Sequence, residues 1–393
     1  MAKLIDITGK AISGAWGTDD LVGNGVPVLR TTNFTNIGIV NFNNVVTRQI
    51  EKKYISEKLL RYGDIIIEKS GGSDKQPVGR VVFFEGEDNK YLFNNFTSLL
   101  RVRDFFKWNP KYIFYSLFAN YAKGGTIPFE NRTTGLHNLQ TDSYVNSVMI
   151  MERKFEEQTD IVRILDKINQ LINYEKKQLE DLDILVKSRF IEMFGDQTNP
   201  LEWPIVEVQE VADIRVGVVI KPAQYYTEEE DGIKAFRSLN IGQMIIKNNN
   251  WVYFSEEGNK KNAKSQLQEN DLLIVRSGSP GTACVVTKDY EGCNAVDIII
   301  ARPLLSAVNP YYLCAYTNFP HGKRQIEDGT GGAAQQHFNI GKYNKLKLML
   351  PPIELQNKFE EFYSQVDKSK LAIQQSLDEL ETLKKSLMQQ YFG

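Results

Sequence analysis

Four short stretches combine cationic, amide, hydroxyl and glycine residues: Lys69-Ser70-Gly71-Gly72-Ser73, Asn131-Arg132-Thr133-Thr134, Arg276-Ser277-Gly278-Ser279 and Lys323-Arg324-Gln325. Arg and Asn side chains read guanine and adenine edges bidentately, and Ser and Gly amides suit phosphate oxygens. The chemistry on offer is nucleic-acid contact. Ordinary polar surface turns contain the same residues, so these loops gain meaning only from the elements that position them.

Catalytic readings fail on spacing. Asn109-Pro110-Lys111-Tyr112 and Asn309-Pro310-Tyr311-Tyr312 faintly match the Asn-Pro-Pro-Tyr loop of amino methyltransferases. That loop needs a second proline and a separate Gly-rich cofactor turn, and both are missing. Helix capping explains the Asn-Pro pairs more simply. Asp64 with Glu68-Lys69 suggests a nuclease carboxylate cluster, but the spacing is wrong. The equivalent stretch later in the chain has Val275-Arg276. No Gly-x-x-x-x-Gly-Lys-Ser/Thr phosphate loop occurs. His137 and His337 occupy matching places with no Cys or second His nearby, which favours structural histidines over a metal ligand or base. His321, beside Lys323 and Arg324, reads as a phosphate contact or a surface loop.

Two long helices are the elements that must position these loops. From Gln158 to Gly195 the seam Ile161, Leu165, Ile168, Ile172, Glu175, Leu179, Leu182, Val186, Arg189, Met193 alternates steps of four and three. That is a heptad helix, roughly 55 Å long at ~1.5 Å per residue. Adding 198 to each number reproduces the stretch: Gln158 becomes Gln356, Leu179 becomes Leu377, and Phe194-Gly195 becomes Phe392-Gly393. The second seam is Phe359, Tyr363, Val366, Lys370, Ile373, Leu377, Leu380, Lys384, Leu387, Tyr391. Two such rods most simply pack antiparallel, which returns the N-terminus near Gly393. Folding about residue 174 sets Glu175 opposite roughly Lys370.

The segments preceding the rods repeat as well. Val26 to Asn33 aligns with Ile233 to Asn240, so Arg30 and Asn33 match Arg237 and Asn240. Gly63-Asp64-Ile65-Ile66-Ile67 aligns with Asn270-Asp271-Leu272-Leu273-Ile274, and Ser70-Gly71 with Ser277-Gly278. Strands are expected over Ile65–Ile67, Gly79–Phe84 and Val145–Met151, and a helix from Asn109-Pro110 to Ala122. A few extra residues lie near 72–95 in the first copy. The candidate contact set is therefore Arg30, Asn33, Lys69, Ser70, Gly71, Arg132, Arg237, Asn240, Arg276, Ser277, Lys323 and Arg324.

Composition excludes several classes. With 393 residues the chain has room for two or three domains. Lys+Arg is 47 against Asp+Glu 49, so any positive surface for DNA is local or supplied by partners. Cys284, Cys293 and Cys314 form no CxxC pair and read as reduced thiols in a cytoplasmic protein. No signal-peptide h-region and no membrane-length apolar run occurs.

The repeated plan resembles the specificity (S) subunit of type I restriction–modification systems. Leu350-Pro351-Pro352-Ile353-Glu354-Leu355-Gln356 looks like the family's Pro-Pro-x-x-Glu-Gln approach to a conserved helix. The first copy keeps Glu156-Glu157-Gln158 but has Arg153-Lys154 where prolines are usual. The resemblance implies an α+β fold: two pseudo-repeated target recognition domains, 1–152 and 197–350, separated by two long antiparallel coiled-coil helices, 153–196 and 351–393. It implies that each domain reads one half of a bipartite, asymmetric site on double-stranded DNA. Two methyltransferase (M) subunits would carry S-adenosylmethionine, and two restriction (R) subunits would use ATP and Mg. This chain would itself hold no cofactor and catalyse nothing. Two other classes stay open: a coiled-coil scaffold that binds protein, and a methyltransferase with an unrecognised cofactor site.

Overall fold

The computed structural model describes residues 1–50, 55–133, 136–228, 231–330 and 338–393. Thr134 and His337 lie outside the described residues. Two compact units divide the chain: Met1–Glu175 with Ser376–Gly393, and Lys176–Gln375. The division crosses both long helices, Phe155–Phe194 and Ile353–Phe392, each of 40 residues.

The first unit is built on an antiparallel sheet of Ile12–Ser13, Thr97–Leu100, Ile65–Glu68 and Val81–Phe83, in that order. The consecutive isoleucines are apolar on both faces because both faces are covered. Ile65, Ile67, Val81 and Phe83 share a core with helix Pro110–Ala122, while Ile66, Val82 and Leu99 pack with Leu29 and Phe93. The period of two along each strand separates the two cores. The second core is closed by a sheet of Thr18–Asp19, Val46–Gln49, Val26–Leu29 and Leu92–Phe93, whose last pair is parallel.

The second unit repeats this. Ala212–Val216, Ile298–Pro303, Leu272–Val275 and Ala283–Val285 form the matching antiparallel sheet. Leu272 and Ile274 face one core, and Leu273 and Val275 the other. Tyr226–Thr227, Val252–Phe254, Ile233–Phe236 and Asn294–Ala295 form the second sheet, again ending in a parallel pair. Helix Pro310–Asn318 is capped by Asn309, whose side-chain oxygen accepts from the amides of Tyr311 and Tyr312, as Asn109 accepts from Lys111. The units differ after these helices. The first carries a three-stranded sheet of Ser70–Gly72, Leu136–Leu139 and Glu130–Thr133, and the described part of the second carries helix Pro320–Thr330.

One expected strand, Val145–Met151, begins as helix and is strand only at Met149–Ile150. Val145 lies in helix Thr141–Ser147, and only Met149–Ile150 pairs, with Ala2–Lys3. The polar Thr141-Asp142-Ser143 supplies a first turn, and the buried Tyr144 hydroxyl donates to Asn120 Oδ1 at 2.9 Å.

Within each unit the two long helices run antiparallel. In the first, Ile161 and Leu165 share a core with Leu387, Tyr391 and Phe392, and Ser376 Oγ donates to Glu175 Oε1 at 2.8 Å. In the second, Lys370 pairs with Asp183, and Phe190 and Phe194 pack on Phe359 with ring centroids 5.2 and 5.9 Å apart. The expected pairing of Glu175 with Lys370 is therefore replaced: Glu175 meets Ser376, six residues further along. Aromatic anchors at the helix ends set the register instead of the polar seam. Phe194 sits 4.7 Å from the Tyr312 ring, and its repeat Phe392 sits 5.4 Å from the Tyr112 ring.

A buried glutamine fastens the start of each long helix to its own domain. Gln158 Oε1 accepts from the Asn109 amide at 2.9 Å, and its Nε2 donates to the carbonyls of Lys107 and Arg153. Gln356 Oε1 accepts from the Asn309 amide at 2.8 Å, and its Nε2 donates to Ala307 and Pro351. Alongside, Tyr112 OH donates to the Met151 carbonyl at 2.9 Å and Tyr312 OH to Met349 at 2.7 Å. Both chain ends lie here in the first unit: the Met1 ammonium is 3.8 Å from Glu152, and Arg153 Nη2 donates to the Tyr391 carbonyl at 3.5 Å.

Replacing either glutamine by Leu strands one backbone amide and two carbonyls in the interior. Gln158→Leu and Gln356→Leu are each expected to cost about 2–4 kcal/mol in urea unfolding, whereas the exposed Glu156→Ala should stay within about 0.5–1 kcal/mol. Equal small effects for all three would remove the glutamines from the account of the fold.

Candidate nucleic-acid interface

Most contact candidates fall on two segments per unit, one after the second sheet's strand Val26–Leu29 or Ile233–Phe236 and one after the central strand Ile65–Glu68 or Leu272–Val275; Arg132 instead lies in strand Glu130–Thr133, and Lys323 and Arg324 lie in helix Pro320–Thr330 rather than in a loop. In the first unit Arg30 follows strand Val26–Leu29 and opens the turn Thr31–Asn33. Asn33 is buried: its Oδ1 accepts from the Arg30 amide at 2.9 Å and its Nδ2 donates to the carbonyls of Asn41 and Asn43. Arg30 Nη2 donates to the Asn44 carbonyl at 3.0 Å. In the second unit Asn240 Oδ1 accepts from the Arg237 amide at 2.9 Å, its Nδ2 donates to Asn249, and Arg237 reaches the Asn250 carbonyl. The repeated Arg-x-x-Asn is thus a clamp that shapes its own loop.

The second loop leaves the strand that follows. Lys69 and Ser70 both donate their amides to the Phe96 carbonyl, at 2.8 and 3.1 Å. The Lys69 ammonium donates to Ser13 Oγ at 3.3 Å. Ser70 Oγ donates to Asn138 Oδ1 at 2.5 Å, and exposed Gly71 takes φ +127°, a conformation other residues rarely adopt. Arg132 lies in strand Glu130–Thr133, paired in register with His137, which in turn pairs with Gly72. Gln76 Nε2 donates to Asn36 Oδ1 at 3.2 Å, joining this loop to the Arg30 loop. Beneath them Arg80 holds Glu68 through two bonds of 3.0 and 2.8 Å and donates to the Thr31 carbonyl.

In the second unit Ser277, Gly278 and Ser279 are exposed. They share a cleft of about 840 Å³ with Ser238, Leu239 and Lys247 from the clamp loop, and with Leu179 and Lys370 from the two long helices. Arg276 lies beneath, ion-paired to Asp297 at 2.5 Å, with its side chain 12% exposed against 44% for Asp297. Lys323 Nζ donates to the Pro280 carbonyl at 2.6 Å and so supports the same loop, whereas exposed Arg324 lies near Asp196.

The rejected catalytic residues have structural partners. Asp64 takes a two-bond contact from Arg101 at 2.7 and 2.6 Å, and its repeat Asp271 takes one from Arg302 at 2.7 Å. Those partners hold the arginines above their ordinary pKa. Among the described residues no group of three His, Cys, Asp or Glu could hold a metal ion. Burial pushes the Cys293 thiol up to about 11 and the Cys284 and Cys314 thiols higher still. His137 Nδ1 faces Glu130 Oε2 at 3.2 Å within its sheet.

His321 is neither a phosphate contact nor a surface residue. It is buried against Phe190 and Tyr316, and its Nε2 donates to the Gly195 carbonyl at 3.0 Å, because a carbonyl can only accept. It closes the end of the first long helix, where Gly195 takes φ +82°. Sequence reasoning also passed over Phe96, Asp297 and the two buried glutamines. Only the place of each glutamine at the start of a heptad helix hinted at a role.

The comparisons agree with this geometry. Residues 200–382 match the family model described as "Type I restriction modification DNA specificity domain". Residues 200–382 are thus similar to a DNA specificity domain of type I restriction–modification systems, and the chain as a whole is similar to proteins named as specificity subunits. It is 21% identical over 295 residues to the type I restriction enzyme MjaVIII specificity subunit of Methanocaldococcus jannaschii, covering 70% of this chain and 68% of that protein. It is 20% identical over 385 residues to the putative MjaX specificity subunit of the same organism, covering 94% and 86%. In fold it is similar to the crystal structure of a type I S subunit from M. genitalium, with a TM-score of 0.62 at 14% identity over 100% of this chain and 95% of that one. A chain from work on complex assembly and conformational transition of the type I R-M system gives 0.58 at 16% identity, over 100% and 96%. Among the described residues no helix is long and apolar enough to cross a membrane.

Burial holds His321 below its ordinary pKa of 6.5, against the opposing pull of Gly195 and Asp196. The unfolded chain therefore binds this proton more readily. The stability His321 contributes is present above about pH 6.5 and is lost as pH falls through the lower folded-state value. Between pH 7 and pH 5 the unfolding midpoint of the chain should drop more steeply than that of His321→Phe, which keeps the ring packing and removes the titration. Parallel curves would exclude His321 from the acid response.

Proposed function

We propose that each unit reads one half of a bipartite, asymmetric double-stranded DNA site, and that the paired long helices set the spacing and recruit methyltransferase and restriction subunits. The observation that carries this reading is the repetition. Two copies of the same sheet end present the same pair of loops, and each copy is fastened to a long helix by the same glutamine. Two different half-sites need two readers with one scaffold and different surface residues. Asn33 and Asn240 shape the loops, and so do Arg30 and Arg237 through their carbonyl contacts. Lys69, Ser70, Gly71, Arg132, Ser277 and Lys323 supply the contact edge, with Arg276 behind it, and Arg324 adds peripheral charge.

Chemistry would come from the partners. Two methyltransferase subunits would supply S-adenosylmethionine and clamp the duplex, which accounts for a chain of net charge −2. Two restriction subunits would supply ATP-driven cleavage with Mg. The complex would act in the cytoplasm.

Seven residues inserted after Glu175 and seven after Gln375 keep both seams in phase and lengthen each helix by roughly 10 Å. At ~3.4 Å per base pair the gap between half-sites should grow by about three pairs, which also rotates one half-site by about 100°. Binding should weaken unless the DNA absorbs that twist. Genome-wide mapping of methyladenine in cells carrying the insertion with its neighbouring methyltransferase gene checks this. A longer gap between unchanged half-sites is expected, and changed half-sites with an unchanged gap would overturn the ruler.

A further inference from the structure

The two units share a backbone position at the open end of the central sheet and fill it with opposite chemistry. Strand Ile65–Glu68 pairs with Thr97–Leu100 so that Glu68 faces Thr97, and strand Leu272–Val275 pairs with Ile298–Pro303 so that Val275 faces Ile298. One step beyond each pair stand Lys69 with Phe96 in the first unit and Arg276 with Asp297 in the second. The turn is one residue longer in the first unit: Asn94 and Val296 make the matching bonds to the Leu29 and Phe236 carbonyls, and the chain then runs to Phe96 or Asp297.

What faces outward differs. Phe96 is 49% exposed, a large apolar ring left in water. Asp297 is the outer member of its ion pair, and Arg276 the inner one. Asp297 takes φ +52°, a conformation Asp tolerates better than most residues, and its amide donates to the Val218 carbonyl at 3.1 Å. Two residues after Arg276, Gly278 takes φ +86° with nothing within 4 Å of where a Cβ would stand, so a backbone can approach closely. A carboxylate on a surface that meets DNA is repelled by phosphate. It is tolerated where a cation offsets its charge and a base supplies a donor, and the exocyclic amino groups of cytosine and adenine are the major-groove donors. An exposed aromatic ring has no such partner and suits the thymine methyl.

Resting on the proposed DNA-reading role, we propose that Asp297 is a specificity-determining residue that accepts from a base amino group, with Arg276 as its positioning residue. Phe96 fills the same place in the first unit and selects a thymine methyl. The two half-sites then differ at the equivalent base pair because an acceptor stands in one reader and an apolar ring in the other.

The full chain is expressed with its neighbouring methyltransferase subunit, and the methylated motif is mapped genome-wide. Asp297→Ala should relax one base pair of one half-site, lowering discrimination there on the order of ten- to a hundred-fold, and leave the other half-site unchanged. Phe96→Ala, at an exposed position that folding tolerates, should relax one pair of the opposite half-site. Arg276→Ala should blur the same pair as Asp297→Ala, and Arg276→Lys should restore part of the preference, which a purely structural ion pair would not do. Motifs unchanged in Asp297→Ala and Phe96→Ala, at wild-type melting temperature, would overturn the inference. Relaxation spread over both half-sites would overturn it too. Absence of any bipartite motif with the wild-type chain is a different failure, that of the DNA-reading role itself.

Discussion

One buried amide on each helix holds the architecture in place. A glutamine side chain offers an acceptor and two donors, and Gln158 and Gln356 spend them on the backbone of two other segments. A long helix leaving a domain has a weak first turn, because its amides lack partners within the helix. Tying that turn to the cap of the Asn-Pro helix makes the direction of exit a property of the domain core. A hydrophobic contact is non-directional. The amide bonds fix orientation as well as position, and the tyrosine bonds from Tyr112 and Tyr312 reinforce it.

The same economy governs the candidate loops. Each candidate loop is internally bonded: the Arg-x-x-Asn clamp in one, and the Glu68–Arg80 or Arg276–Asp297 pair beneath the other. Loops held this way lose little conformational entropy on binding, so contact energy goes into discrimination. The arginines and asparagines that look suited to base edges are largely consumed by the loops themselves, and the outward groups are a phenylalanine and an aspartate.

Much of the plan was legible in the sequence. The offset of 198 between the helices, the Asp-Ile-Ile-Ile and Asp-Leu-Leu-Ile strands and the Asn-Pro caps each carry a local signal that tertiary contacts did not override. The seam register was not legible. A heptad pattern allows several alignments differing by whole turns, and the choice was made by Phe194 and Phe392, outside the polar seam. The segment around Val145 misled because Val and Tyr favour strands locally, while a polar turn and a buried Tyr144 bond favoured helix. His321 misled through its basic neighbours, since burial on Phe190 is invisible in composition.

The first unit is discontinuous, and the second is not. During synthesis residues 176–375 can complete their core as soon as they emerge. The N-terminal unit lacks Leu387, Met388, Tyr391 and Phe392 until the last residues of this chain are made. At ~5–20 residues per second it waits roughly ten to forty seconds after its own helix has appeared. Between these two units the order along the nascent chain is thereby reversed: the unit that starts earlier is completed later. The side of the Tyr112 ring that meets Phe392 stays uncovered through that interval, a period in which chaperones have the most to protect.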